Sequence, residues 1–356
     1  MKNFKLFLIL MLLVFTTQAQ TIYIANNNPG APGGVNTFTG SSALADALIA
    51  ASNGDIIYLV PSPTNYGNPM ISKQLTIYGG GFNPDKDSPE VTLIGTTRLD
   101  IAASNVTLSG LTITGIAYTN GNISNIVIEK CAIKQFANNG GAAQGNILIH
   151  NNIFGQNIPT NQYVMNFGTI SSNIIISNNI IYHNQSNGFG LINTSNGTTV
   201  ENNIFIGPSS GTTVSAFDNF NFGTVKNNIF YGVQPLSLGS GILTNNNFEF
   251  NLSFGAASNV FATTNGNTSA NNIENVDPLF VNLPYGNSHS FTYDPNVEAG
   301  SMALGNGEGG TDIGIFGGGS PFDITGTPLP LVQIVDIPPT ISQGSDLPVN
   351  IKGRGN

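Results

Sequence analysis

The sequence has no tryptophan, one cysteine and three histidines, and only 8% of its 356 residues are charged. Each shortage excludes something. A single cysteine, Cys131, cannot form an internal disulfide, and its place inside a repeat marks it as a buried structural thiol rather than a nucleophile. Ten lysines and arginines are too few to neutralise phosphates in number, which disfavours nucleic acid as a partner. The largest flat ring for stacking on a sugar is missing with Trp. Arginine is reduced to Arg98 and Arg354. Low charge alone could indicate disorder, but 40% hydrophobic content set in periodic runs opposes that.

Those runs repeat. Asn151-Asn152-Ile153-Phe154, Asn178-Asn179-Ile180-Ile181, Asn202-Asn203-Ile204-Phe205 and Asn227-Asn228-Ile229-Phe230 are four versions of one unit. The first Asn of each pair recurs after 27, then 24, then 25 residues. Each pair follows an alternating run such as Asn146-Ile147-Leu148-Ile149-His150. Weaker copies start at Asn105 and Asn125, and a degenerate one spans residues 243–248. A period of this size means a solenoid in which each unit buries its apolar face on the next. β-branched residues alternating at period two make it a β-solenoid rather than a helical array. The Asn pairs sit where the chain must bend. Asn tolerates the left-handed conformation there, and stacking at about 4.8 Å lets side-chain amides bond along the axis as a ladder. The reading is all-β: a right-handed parallel β-helix with three strands per coil.

Along the chain, residues 1–19 read as a secretory signal, with Lys2 and Lys5 ahead of an apolar run and Thr17-Gln18-Ala19 at the cut. The mature chain would begin at Gln20, secreted or on a bacterial cell surface, with no transmembrane anchor. Losing Lys2 and Lys5 leaves 8 basic against 19 acidic residues, a net charge of −11. Residues 41–51 form the one convincing helix, with Ser41 or Ser42 to cap it and Asn53-Gly54 to end it. An open solenoid end exposes apolar core, so this helix is expected to be the cap of a single domain, residues 20–325. From about Thr327 prolines punctuate short β-like runs, and residues 326–356 read as a short β extension.

Several stretches resemble secreted parallel β-helix proteins of the pectate-lyase-like superfamily. They are the helix with Asn53-Gly54-Asp55-Ile56-Ile57-Tyr58-Leu59, the loop with Tyr66, Lys73-Gln74-Leu75-Thr76-Ile77-Tyr78-Gly79, residues 275–282, and Gly310-Thr311-Asp312-Ile313-Gly314-Ile315-Phe316-Gly317-Gly318. The resemblance covers roughly residues 21–325 and implies the fold. It does not carry an active site across. The lyases of that superfamily pair a calcium-binding acidic cluster with an Arg base. Here Arg98 has only Asp100 near it in sequence. There is no Asp-Asp pair and no Gly-His-Gly.

Aligned repeats put Ser109, Glu129, His150, Ser177, Glu201, Lys226 and Thr244 in one outward column. Glu129, His150 and Lys226 are its candidate catalytic residues, because a carboxylate beside an imidazole or amine can move a proton on a sugar. Ion pairs on a solvated face fit the same residues. Glu129 and Glu201 lie too far apart for paired-carboxylate glycoside hydrolysis. The neighbouring column, Thr107, Val127, Leu148, Ile175, Thr199 and Thr224, is apolar in the middle. Leu148 and Ile175, with Tyr163 and Tyr182 from long loops expected to fold over them, are the candidate ligand contacts. No cofactor is expected, but Asn83, Asp85, Asp87 and Glu90 in one loop could hold calcium or form an ordinary acidic turn. The function expected is a binding protein for a polysaccharide, a cell-surface glycan or a matrix partner. The alternative is a polysaccharide lyase or other carbohydrate-active enzyme working from the strand face.

Overall fold

The computed structural model describes residues 20–83, 91–138, 142–155, 162–167, 171–183, 192–193, 197–235, 243–286, 288–323, 326, 331–336, 346 and 348–354. The expected signal segment and the loop with Asp85, Asp87 and Glu90 lie outside the described residues.

Strands of two to eight residues stack coil upon coil into two long sheets, and every pairing within them is parallel. The first sheet has 12 strands and climbs from Ile22–Asn26 through Ile123–Glu129 and Gln144–His150 to Thr268–Ala270. The second has 14 strands and runs as two tracks. Thr112–Thr119 and Ala132–Asn138 are long enough to serve both tracks. In later coils loops split them. One track then holds Ile153–Phe154, Ile180–Tyr182, Ile204–Ile206 and Ile229–Tyr231. The other holds Met165–Asn166, Ile192–Asn193 and Phe217–Asp218. Each coil therefore has three strands, and the chain is a parallel β-helix. Period-two alternation sends Ile147, Ile149, Phe154, Phe205 and Phe230 inward, where all are fully or almost fully buried. Phe205 and Phe230 stack with centroids 4.9 Å apart and planes 3° from parallel.

The two Asn of each pair divide the work. The first takes the left-handed conformation: φ is 56° at Asn151, 52° at Asn178, 55° at Asn202 and 55° at Asn227. The second forms the ladder. Asn179 Oδ1 accepts from both the backbone N and the Nδ2 of Asn152, at 2.9 and 3.0 Å. Asn203, Asn228, Asn251 and Asn272 repeat the pattern. Cys131 holds the ladder position one coil earlier, and its backbone N donates to Asn152 Oδ1 at 2.9 Å. Burial pushes its thiol pKa up to about 12. A second, exposed ladder runs along four neighbouring coils of the first sheet, from Asn173 through Asn146 and Asn125 to Asn105: Asn146 Nδ2 donates to Asn125 Oδ1 at 2.9 Å, and Asn125 to Asn105 at 2.8 Å. Within residues 243–248, Asn245 is left-handed and Asn246 donates to Asn267 in a separate ladder; the main ladder continues just beyond, where the left-handed residue is Phe250 and the ladder residue Asn251. The strand there is Asn247–Glu249, so Glu249, not Thr244, pairs with Lys226.

The helix spans Ala43–Ala50 and buries Ala43, Leu44 and Ala47 in the main core. Its ends differ from the expectation. Ser42 makes no capping bond to the backbone and instead donates to Asp46 at 2.7 Å. The helix stops at Ala50, before Asn53-Gly54. Lys73 Nζ reaches the carbonyls of Leu48, Ile49 and Ala51 at 2.9, 3.0 and 2.5 Å and takes the place of a C-terminal cap. At the other end the chain leaves the last coil, forms the hairpin Phe280–Asn282 with Asp294–Val297, and returns along the outside of the second sheet. Leu331–Asp336 and Asn350–Arg354 form an antiparallel pair that joins neither sheet. No helix among the described residues is long and apolar enough to cross a membrane.

Candidate functional site

The outward column of the first sheet reads Ser109, Glu129, His150, Ser177, Glu201, Lys226 and Glu249. Strand register brings Glu129 and His150 together: His150 Nε2 lies 2.9 Å from Glu129 Oε2. Ser109 Oγ donates to the other carboxylate oxygen at 3.0 Å. His150 Nδ1 faces Asn151 Nδ2 at 3.1 Å. The amide can only donate, so Nδ1 accepts and Nε2 carries the proton shared with Glu129. The hydrogen bond from His150 is the main reason that Glu129's pKa is lowered; burial opposes it. The acid sits between Ser109 and the imidazole, so this is not the serine–imidazole–acid order of a nucleophilic triad.

Lys226 does not join the pair. It lies three coils from His150, about 14 Å at the strand spacing. Its Nζ is 2.8 Å from Glu308 and 3.5 Å from Glu201. The bond to Glu308 leads the causes that raise its pKa, so it is held as a cation and is a poor base.

Leu148 and Ile175 are paired neighbours and half-buried. The two tyrosines assigned to them are elsewhere. Tyr163 precedes Met165–Asn166 on the second sheet, and its hydroxyl donates to Asp218 at 2.7 Å. Tyr182 is fully buried on the outside of that sheet, with its hydroxyl 3.1 Å from His289 Nδ1. The long loops leave and return between the two tracks of the second sheet, so their described ends do not cross the first.

Sequence reasoning missed a third column. On the second track of the second sheet, register aligns Met70, Asp100, Tyr118, Ala137, Asn166, Asn193 and Asp218. Their inward neighbours Leu99, Ala117, Phe136, Met165, Ile192 and Phe217 are in the core, so these seven face outward. Arg98 lies over the Tyr118 ring at 4.7 Å, and its Nε meets Asp100 Oδ2 at 2.9 Å. Asp100 Oδ1 is buried without a partner. Asn193 Nδ2 donates to Asn166 Oδ1 at 3.1 Å. Tyr163, reaching two coils to Asp218, walls one end. The column offers amides, two carboxylates, a cation and two rings along about 29 Å of axis. The Arg98–Asp100 alternation was the one legible sign of it. The loop lengths hid the rest, because strands of two residues carry no periodic signal. Among the described residues no cluster of three or more His, Cys, Asp or Glu could hold a metal ion.

No family model matches the chain, and no curated protein does. Solved structures do. Pectate lyase Pel9A is 14% identical, with 83% of this chain and 96% of that one covered and a TM-score of 0.43. The PL6 family alginate lyase AlyGC is 15% identical, with 76% and 42% covered and a TM-score of 0.34; this chain spans under half its length. These likenesses concern the fold alone, and the strand register given above is what makes this chain a parallel β-helix.

Proposed function

We propose that this chain is a secreted, non-catalytic protein that binds glycan chains laid along the solenoid axis. The observation that carries the reading is the outward column from Arg98 and Tyr118 through Asn166 and Asn193 to Asp218. Sugars are recognised by amides and carboxylates that bond hydroxyls and by rings that stack on pyranose faces. The column supplies both at a repeat on the scale of one sugar unit. The ionisable groups on the first sheet favour binding over turnover. Glu129 and His150 satisfy each other, and Lys226 is neutralised by two carboxylates. The second reading is a polysaccharide lyase or other carbohydrate-active enzyme. Its one supporting observation is the Glu129–His150 contact at an outward position.

The test is affinity electrophoresis of residues 20–356 in a panel of neutral and acidic polysaccharides, run beside assays for unsaturated and reducing ends. Binding predicts retardation by at least one polysaccharide, lost in Tyr118→Ala and Arg98→Ala and kept in Glu129→Gln. Turnover that disappears in Glu129→Gln or His150→Ala would replace this reading with the enzymatic one. Retardation unchanged by both column variants would remove the column.

A further inference from the structure

Residues 301–323 run back along the outside of the solenoid, from the last coils towards the first. Their contacts follow that order. Glu308 N donates to Asn227 Oδ1 at 2.8 Å, and Gly314 N to Asn227 O at 2.7 Å. Asn178 Nδ2 donates to the carbonyls of Ile315 and Gly317, both at 2.9 Å. Asn151 Nδ2 reaches Ser320 Oγ at 3.3 Å. Glu308 pairs with Lys226 at one end, and Asp323 with Lys130 at the other, 3.2 Å apart. So three of the four left-handed Asn of the pairs, Asn151, Asn178 and Asn227, which take no part in the buried ladder, hold this strap by hydrogen bonds. Its apolar side chains Ile313, Ile315 and Phe322 are buried against Ile180, Ile204 and Ile229. Gly317 and Gly318 are required by closeness: a Cβ on Gly317 would lie 2.0 Å from the strap's own Asp312 carbonyl oxygen, and one on Gly318 2.6 Å from Asn202 Nδ2.

We propose that residues 301–323 are a releasable staple, which opens as a unit before the coils do and on opening uncovers both the Glu129–His150 corner and the apolar row Ile180, Ile204, Ile229. The two parts of the molecule are held in different ways. The coils are tied by continuous parallel ladders and a buried amide column. The strap joins neither sheet. It is fastened by single hydrogen bonds spread over the coils, the buried side chains Ala303, Ile313, Ile315 and Phe322 with Phe316 against them, and two partly exposed ion pairs, which are worth little. Segments with few cooperative bonds open at lower free energy than the sheets they lie on. The strap also closes late, because Ser320 must find Asn151 across 169 residues of chain.

Native-state hydrogen exchange on the full chain tests this, followed at the strap amides of Ile313, Gly314 and Phe322 and at the ladder amides of Asn152, Asn179 and Asn203. The strap amides are expected to exchange together, at least about 100-fold faster than the ladder amides. Asn178→Ala, which deletes two donors to the strap, should raise strap exchange about tenfold and leave the amides of Asn203 and Asn228 unchanged. A conservative control, Asn178→Gly, keeps the left-handed backbone and should give the same strap-selective effect. If strap and ladder amides exchange at one rate, or respond equally to both variants, the strap is an integral part of the coils and the proposal fails.

Discussion

His289 should make the exit segment acid-labile. Its ring is 8% exposed, enclosed by Tyr182, Phe291 and Tyr293, and Nε2 has no partner. Tyr182 offers Nδ1 its hydroxyl at 3.1 Å, which suits a neutral ring with its proton on Nε2. Burial lowers the pKa from 6.5 to about 4. The folded form thus binds the proton less readily than the unfolded chain. Stability is complete above pH 6.5, falls as the unfolded chain protonates, and stops falling once the folded form protonates near pH 4. At about 1.4 kcal/mol per pH unit that interval is worth about 3 kcal/mol. With no Trp in the chain, urea unfolding is followed by far-UV circular dichroism and tyrosine fluorescence at pH 7, 5.5 and 4. His289→Leu keeps the apolar packing and removes the titration, so its curve should lie above that of the natural chain at pH 4 relative to pH 7. The window sets this effect apart from Glu129, whose lowered carboxyl pKa removes stability only as pH falls below the ordinary carboxylate range. Parallel pH curves for the two proteins between 6.5 and 4 would refute the argument.

Four further outcomes follow from the packing. Cys131, with its thiol pushed up to about 12 and fully buried, should resist a thiol reagent at pH 8 in the native protein and react fully in urea; rapid native labelling would contradict its place in the ladder. Asn203→Ala leaves the backbone N of Asn179 and the carbonyls of Ile176 and Glu201 without their partner inside the stack, and should cost about 2–4 kcal/mol in urea unfolding. Asn202→Gly, its neighbour in sequence, keeps the positive φ and should cost under about 1 kcal/mol. Lys73→Met exposes three helix carbonyls to an empty partner site and should lower stability by about 1–2 kcal/mol, with exchange rising first at the amide of Ala51.

The coil was legible because its signal is local and repeated. Ile147 and Ile149 alternate within five residues, and the same five residues return at each turn. A reader needs only one period to fix inward from outward, and His150 next to Glu129 follows from that register. Position within the Asn pair was half legible. Both properties of Asn, tolerance of positive φ and amide pairing, were visible, but not that Asn151 takes the first and Asn152 the second. That division depends on which side chain points into the bend, which spacing does not encode. Lys73 as a helix cap was hidden for a different reason: it acts across more than 20 residues, on carbonyls, which carry no side-chain identity.

The strap shows most clearly where sequence reasoning stops. Its Gly-rich stretch reads locally as a loop. Two of its glycines are set by what lies beneath them, since Gly314 faces Ile229 and Gly318 faces Asn202. The repeat itself had two unexplained features that point the same way. The first Asn of each pair recurs as strictly as the second although Gly would satisfy its backbone, and the outward Ile of Ile153, Ile180, Ile204 and Ile229 recurs although nothing in the repeat covers it. A solvent-facing apolar row beside a row of amides is costly unless a second segment takes both. The strap, with alternate Ile313 and Ile315 and the carbonyls of Ile315 and Gly317 turned to Asn178, is the complement of that pair of rows. A repeat whose outward positions are as regular as its core positions therefore implies a non-repeating partner segment, and in this chain the segment is its own exit.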